Sequence, residues 1–145
     1  MSKNYQNTVN DQITFKGIGL HNGTNVQLTV KPARENFGIK FCRLDIDKDN
    51  LIEANYKNVV EPILCTKIRN KHGATVSTVE HLMAAFFGEG IDNALVEIDA
   101  PEVPILDGSA NEFVEKIRKV GVKKLNEPKK FIQVLDKVEV KDGEK

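Results

Sequence analysis

The hydrophobic period changes partway along this chain, and that change constrains the fold more than any other feature. Val26, Leu28 and Val30 alternate with polar residues, and Phe37, Ile39 and Phe41 do the same. A period of two is the signature of half-buried strands. From Val79 the spacing lengthens. Val79, Leu82, Met83 and Phe86 fall at i, i+3, i+4 and i+7, one apolar stripe of a helix over about Thr78 to Phe87. "DNALVEID" returns to period two through Ala94, Val96 and Ile98, and Phe113, Val114, Ile117 and Val120 then form a second helical stripe after Ser109. Strands first, then helix, strand and helix predict an α+β two-layer sandwich, with two helices packed on one face of a mostly antiparallel sheet.

Turn residues divide these elements. Asn22-Gly23 is a strong hairpin signal because both residues tolerate positive φ. "ILCTKIR" reads as a short strand and "NKHGA" as the turn after it. Gly88 and Gly90 can stop the first helix, and Gly121 the second. "VKKLNEPKK" is charged and carries a proline, so it is expected to be a linker. The predicted organisation is therefore one α+β unit over residues 1–124, then the linker and first strand or strands of a second, truncated unit over residues 125–145. "FIQVLDKVEVKDGEK" is expected to begin that strand, and ending on the turn-like Asp142-Gly143 suggests a chain cut off as the second unit starts.

Composition narrows the class. The 145 residues suit one core, and 40% hydrophobic with 29% charged residues is ordinary for a globular protein. Formal net charge is zero, and residues 80–112 hold eight Asp or Glu and no Lys or Arg. Both argue against nucleic acid as partner. No apolar run could span a bilayer. The polar "MSKNYQNTVNDQ" start has no signal-peptide character, so a cytoplasmic location is expected. Cys42 and Cys65 lack CxxC spacing and are expected to be free thiols.

"STVEHL" raises the question of function. Ser77 and Glu80 have the S-x-x-E spacing of a capping box, as do Ser109 and Glu112. Spacing alone favours a structural cap with an incidental histidine. The helical wheel points elsewhere. His81 lies opposite the apolar stripe, beside Ala84 and Ala85, and no charge follows until Glu89. That outer face is too apolar for open solvent, which implies a cover or a ligand. A metal at His81 would need two or three further ligands. Glu80, in the first turn, stays ionised readily and could serve as a general base. His21 flanks the first hairpin turn and His72 lies in the second.

The stretch "STVEHLMAAFFGEGIDNALVEIDAPEVPILDGSA" closely resembles the signature region of the bacterial UDP-3-O-acyl-N-acetylglucosamine deacetylases, zinc hydrolases of lipid A synthesis. "GIGLHNG", "ILCT" and "KKFIQV" match in the same order. The resemblance implies two similar α+β domains of a ribosomal S5 domain 2-like fold, with the active site between them. It implies that the second domain covers the Ala84/Ala85 face. Zn(2+) would be held by His81 with a histidine and an aspartate of the second domain. Glu80 would be the general base that activates water against the acetamide carbonyl of the UDP-sugar. Leu20 and His21, with Leu64, Cys65 and Thr66, would border the substrate. The sequence departs from the family where the H-x-x-x-D ligand pair, the assisting histidine and the acyl-chain insert are absent. One histidine makes no tight zinc site. An N-terminal portion, inactive alone, is therefore expected. The alternative is a non-catalytic module of the same fold that binds a nucleotide sugar or a protein.

Overall fold

The computed structural model describes residues 4–61 and 63–143. The class is α+β, as the order of periods predicted. A five-stranded sheet forms the body. It contains β2 (Ile13–Ile18), β3 (Asn25–Pro32), β4 (Ile39–Arg43), β5 (Leu51–Glu53) and β9 (Ala94–Ile98), in the order β2-β3-β9-β4-β5. All neighbours are antiparallel except β4 and β9, which run parallel. The short strands β6 (Val59–Val60), β7 (Lys67–Arg69) and β8 (Thr75–Val76) form a second, antiparallel sheet. β1 (Tyr5–Val9) pairs with β10 (Val122–Pro128) in a two-stranded ribbon. The helices are α1 (Glu80–Gly88) and α2 (Asn111–Val120). No helix among the described residues is long and apolar enough to cross a membrane.

Alternation puts one side of the large sheet in the core. Ile13, Val30, Val96, Phe41 and Ile52 are register partners across all five strands, and each is at most 4% exposed. Phe15, Leu28, Ile98 and Arg43 form the next row. Leu82, Ala85 and Phe86 of α1 and Phe113 and Ile117 of α2 complete the same cluster. The rings of Phe15 and Phe113 lie 4.8 Å apart at 53°, a tilted geometry that suits their quadrupoles. The other side of the sheet is polar, with a Lys31–Glu97 ion pair at 2.7 Å and a Thr14–Thr29 hydroxyl contact at 3.1 Å. Cys42 is on that side. Burial, and then the Glu97 carboxylate, push its thiol above the usual range, which disfavours the thiolate. Both cysteines are free thiols.

Arg43 closes the end of its row. It is 7% exposed, and its Nε and Nη2 donate to Asp45 at 2.8 and 2.7 Å. Its Nη1 donates to the Thr75 carbonyl, which ties β8 to the large sheet.

Three segments differ from the sequence expectation. Most of the expected linker is ordered strand: Val122–Pro128 is β10, whose edge is satisfied by β1. Its partner lies more than a hundred residues away, so local composition could not reveal the pairing. Residues 131–143 form no strand, and Phe131, Ile132, Val134, Leu135, Val138 and Val140 are all exposed. An alternating segment with no neighbour to pair with has no ladder to join. Only Lys67–Arg69 of "ILCTKIR" is strand, because Leu64 turns the chain with φ +60.

Candidate active site

The chain enters α1 through a sharp reversal. The Ser77 amide donates to the Pro101 carbonyl and the Val103 amide to the Ser77 carbonyl, so Ser77 is stitched to the extended segment 101–103. Thr78 then turns the backbone with φ +56 while buried to 2% exposure. For a β-branched residue this is a true outlier, and it costs about 1–3 kcal/mol. α1 starts two residues later at Glu80, which puts the carboxylate in the first turn, where the helix dipole favours negative charge.

The capping box expected at Ser77 and Glu80 does not form. Ser77 is outside the helix, and its Oγ donates to Pro101. Val79 stands at the N-cap without a side-chain cap bond. The Glu80 carboxylate reaches across instead: its Oε2 accepts the Thr66 amide at 3.0 Å, and the Val79 amide donates to the Thr66 carbonyl at 3.3 Å. At the second helix Ser109 Oγ accepts the Asn111 amide at 3.0 Å and donates to Asp107, so Glu112 has no reciprocal role there.

A second carboxylate organises the other side of the turn. Glu102 is 1% exposed. Its Oε1 accepts the Thr78 hydroxyl at 2.7 Å and its Oε2 the Asn22 amide at 3.1 Å, while the His21 amide lies 3.1 Å from both oxygens. Burial pushes this carboxyl up. The Thr78 hydroxyl and the two amides outweigh it and hold the group below the usual carboxylate range. The hairpin wraps the carboxylate so closely that a Cβ on Gly19 would lie 2.6 Å from Glu102 Oε2 and 2.3 Å from Asn22 Oδ1. This explains why the β2–β3 loop is longer than a two-residue turn at Asn22-Gly23. Only Gly23 takes positive φ there, and Asn22 Oδ1 accepts the Thr24 amide instead.

His81 is half-buried on the side of α1 away from the core. Asp107 is near it. Hydrogen bonds from the Ser109 amide and hydroxyl, helped by the His81 imidazole, hold the Asp107 carboxyl below its usual range. The rest of that helix face is apolar. Ala84 and Gly88 are exposed and Phe87 is 90% exposed. Ala85 is a correction: at 1% exposure it belongs to the core, because it continues the i, i+3, i+4 set of Leu82, Ala85 and Phe86. Phe87, not Ala85, is the apolar neighbour of Ala84 on the outer face.

Among the described residues, no group of three or more His, Cys, Asp or Glu side chains is placed to hold a metal. Catalytic zinc takes three protein ligands. The residues present can supply one imidazole at His81 and fall short of a complete site.

A family profile described as LpxC, UDP-3-O-acyl N-acetylglycosamine deacetylase, matches residues 6–145. The chain belongs to this family. Proteins named UDP-3-O-acyl-N-acetylglucosamine deacetylase are 45% identical in Pasteurella multocida over 140 residues and 50% identical in Geotalea uraniireducens over 141 residues. The match to the Vibrio cholerae protein of that name is 44% over 140 residues. In each case it covers 97% of this chain and 46% of the relative, so the chain spans about half the length of the curated relatives it matches.

Within this deacetylase-family chain, most of the predicted residues converge on the start of α1. Glu80 and His81 are consecutive there. The Leu20-His21 hairpin is attached through Glu102, and Thr66 is bound to Glu80. Leu20 and Leu64 are 58% and 88% exposed, and Cys65 is half-buried. His72 is apart, exposed in its turn, with Asp49 Oδ1 at 3.5 Å from Nε2. Sequence reasoning missed Thr78, Glu102 and Asp107. A signal existed for Glu102, which is the only charge in the run "APEVPIL".

Proposed function

We propose that this chain is the N-terminal part of a zinc-dependent hydrolase that removes the N-acetyl group from UDP-3-O-acyl-N-acetylglucosamine. The products are UDP-3-O-acyl-glucosamine and acetate, in the committed, cytoplasmic step of lipid A synthesis in Gram-negative bacteria. The observation that carries this reading is the Glu80-His81 pair at the start of α1, beside an outer helix face of Ala84 and Phe87 that no part of the described chain covers. A second unit covers that face and brings the remaining metal ligands. Bound zinc would polarise the acetamide carbonyl, with His81 as one of its ligands.

The chain's own residues then have distinct tasks. The Thr66 amide holds Glu80 Oε2, while Oε1 makes no hydrogen bond among the described residues and is free to take a proton. Glu80 removes that proton from water as the oxygen attacks the carbonyl carbon. The proton passes to the sugar 2-amino nitrogen as the C–N bond breaks and acetate leaves. Leu20 and His21, with Leu64, Cys65 and Thr66, border the sugar nucleotide.

Two variants of the full-length protein test this. Glu80→Ala should lower turnover by at least about a hundredfold and keep its zinc, the scale of a lost general base. His81→Ala should lose zinc itself. Turnover unchanged in Glu80→Ala, with only a lower melting temperature, would overturn the reading.

A second reading is favoured by one observation, the lack of a three-ligand cluster among the described residues. It is a non-catalytic module that binds a nucleotide sugar or a protein through the Ala84 face. Tight UDP-sugar binding by the full-length protein, without acetate release, would select it.

A further inference from the structure

We propose that Glu102 is a positioning residue for the reaction: its buried carboxylate sets where the Glu80-His81 turn stands relative to the Leu20-His21 hairpin. This inference rests on the reading of Glu80 and His81 as reacting groups.

Three segments distant in sequence meet on this one side chain. Thr78 comes from the turn before α1, His21 and Asn22 from the β2–β3 hairpin, and Glu102 itself from the extended segment 101–106. Three donors hold the two oxygens, the His21 amide shared between them, and the group is 1% exposed, which leaves little room for water to take their place. The backbone of the Glu102 segment is fastened independently. Ser77 pairs with it on one side, and the Ile105 amide donates to the Ile18 carbonyl on the other. The carboxylate is therefore a fixed point to which the turn before α1 and the β2–β3 hairpin are both tied.

The tie at Thr78 has a specific consequence. A threonine at φ +56 relaxes unless its surroundings hold it. Its hydroxyl bond to Glu102 Oε1, at 2.7 Å, is the contact that holds the side chain. Relaxation of Thr78 would rotate the first turn of α1, which carries Glu80 and His81. Release of the His21 and Asn22 amides would free the hairpin that borders the substrate. Glu102 makes the reacting pair and its border a single rigid arrangement, and precise placement of reacting groups governs rate. Other carboxylates do not duplicate it: Glu80 is bound to Thr66, and Asp107 is occupied by Ser109.

The test uses steady-state kinetics of the full-length protein. Glu102→Gln keeps the shape and removes the charge: with NH2 at the Oε2 position the Asn22 amide loses its acceptor, and with NH2 at the Oε1 position the Thr78 hydroxyl must reverse to accept, so every tie loses its charge assistance. We expect kcat to fall by about tenfold to a hundredfold while KM stays within about threefold. Thr78→Val keeps the shape and removes the hydroxyl, and should give a similar loss. Thr78→Ser keeps the hydroxyl and should restore kcat to within about threefold. The Glu102→Gln/Thr78→Val double variant should be no slower than the worse single variant, since both act through one contact.

If Glu102→Gln fails to fold, the Thr78→Val and Thr78→Ser pair decides alone. The proposal is overturned if Thr78→Val keeps kcat within about twofold of the parent, or if the two losses multiply in the double variant. Glu80→Ala is the companion control. Full activity in Glu80→Ala refutes the underlying assignment of the reacting pair, whereas an inactive Glu80→Ala beside a fully active Thr78→Val refutes only the positioning role.

Discussion

Thr78 and Glu102 show how a single strained residue is sustained. The left-handed backbone of a buried threonine works against folding by about 1–3 kcal/mol, and a charge-assisted hydrogen bond of about 1.5–3 kcal/mol is of the right size to offset it. That bond depends on ionisation. A carboxyl held lower in the folded than in the unfolded protein favours folding at pH above its ordinary value of 4.5, and the contribution disappears as pH falls through the folded value. Glu102→Gln should therefore be destabilised most near neutral pH. Its urea-unfolding free energy should converge towards that of the parent as pH falls from 4.5 through the folded value. Parallel pH curves for the two proteins would show that the Glu102 charge does not support the fold.

At the scale of elements, the ends of helices carry much of the local specification. α2 ends where the Ile117 carbonyl accepts the Gly121 amide, and Gly121 takes φ +85 and ψ 170, which admits essentially only glycine. The chain then runs straight into β10 and its pairing with β1. Gly121→Ala should cost about 1–3 kcal/mol in equilibrium unfolding, with the loss expressed first as weaker hydrogen-exchange protection in the β1–β10 ribbon. Equal stability of the alanine variant would mean that the α2–β10 junction can relax to another path. α1 is specified differently. Its start is set by contacts from segments 64–66 and 101–103, not by a cap of its own, which is why the S-x-x-E spacing was a poor guide there.

For the molecule as a whole, one sheet face, two helices and two small satellite sheets make a complete core, yet the candidate site is open. Phe87 is 90% exposed beside Ala84, and residues 131–143 carry alternating apolar side chains without a partner. In the proposed reading this apolar surface is where the second unit packs. The isolated chain should fold cooperatively through its core. It should fail both to release acetate from the UDP-sugar and to keep stoichiometric zinc through dialysis, because His81 alone cannot hold the metal. Turnover by the isolated chain near that of the full-length protein would contradict this.

Local sequence determined the strands and helices wherever a single period held over several residues. Val26 to Val30, Ala94 to Ile98 and the α2 stripe are of this kind, since alternation and helical spacing follow from where successive side chains point. The helical wheel also singled out His81, through the uncharged face it shares with Ala84. The β1–β10 pairing, the burial of Ala85, the bond from Thr66 to Glu80 and the three-way meeting at Glu102 were not legible in that way. Each joins residues that are far apart in the chain or turns on a few degrees of helix rotation. No periodicity encodes such contacts; packing of the whole chain selects them.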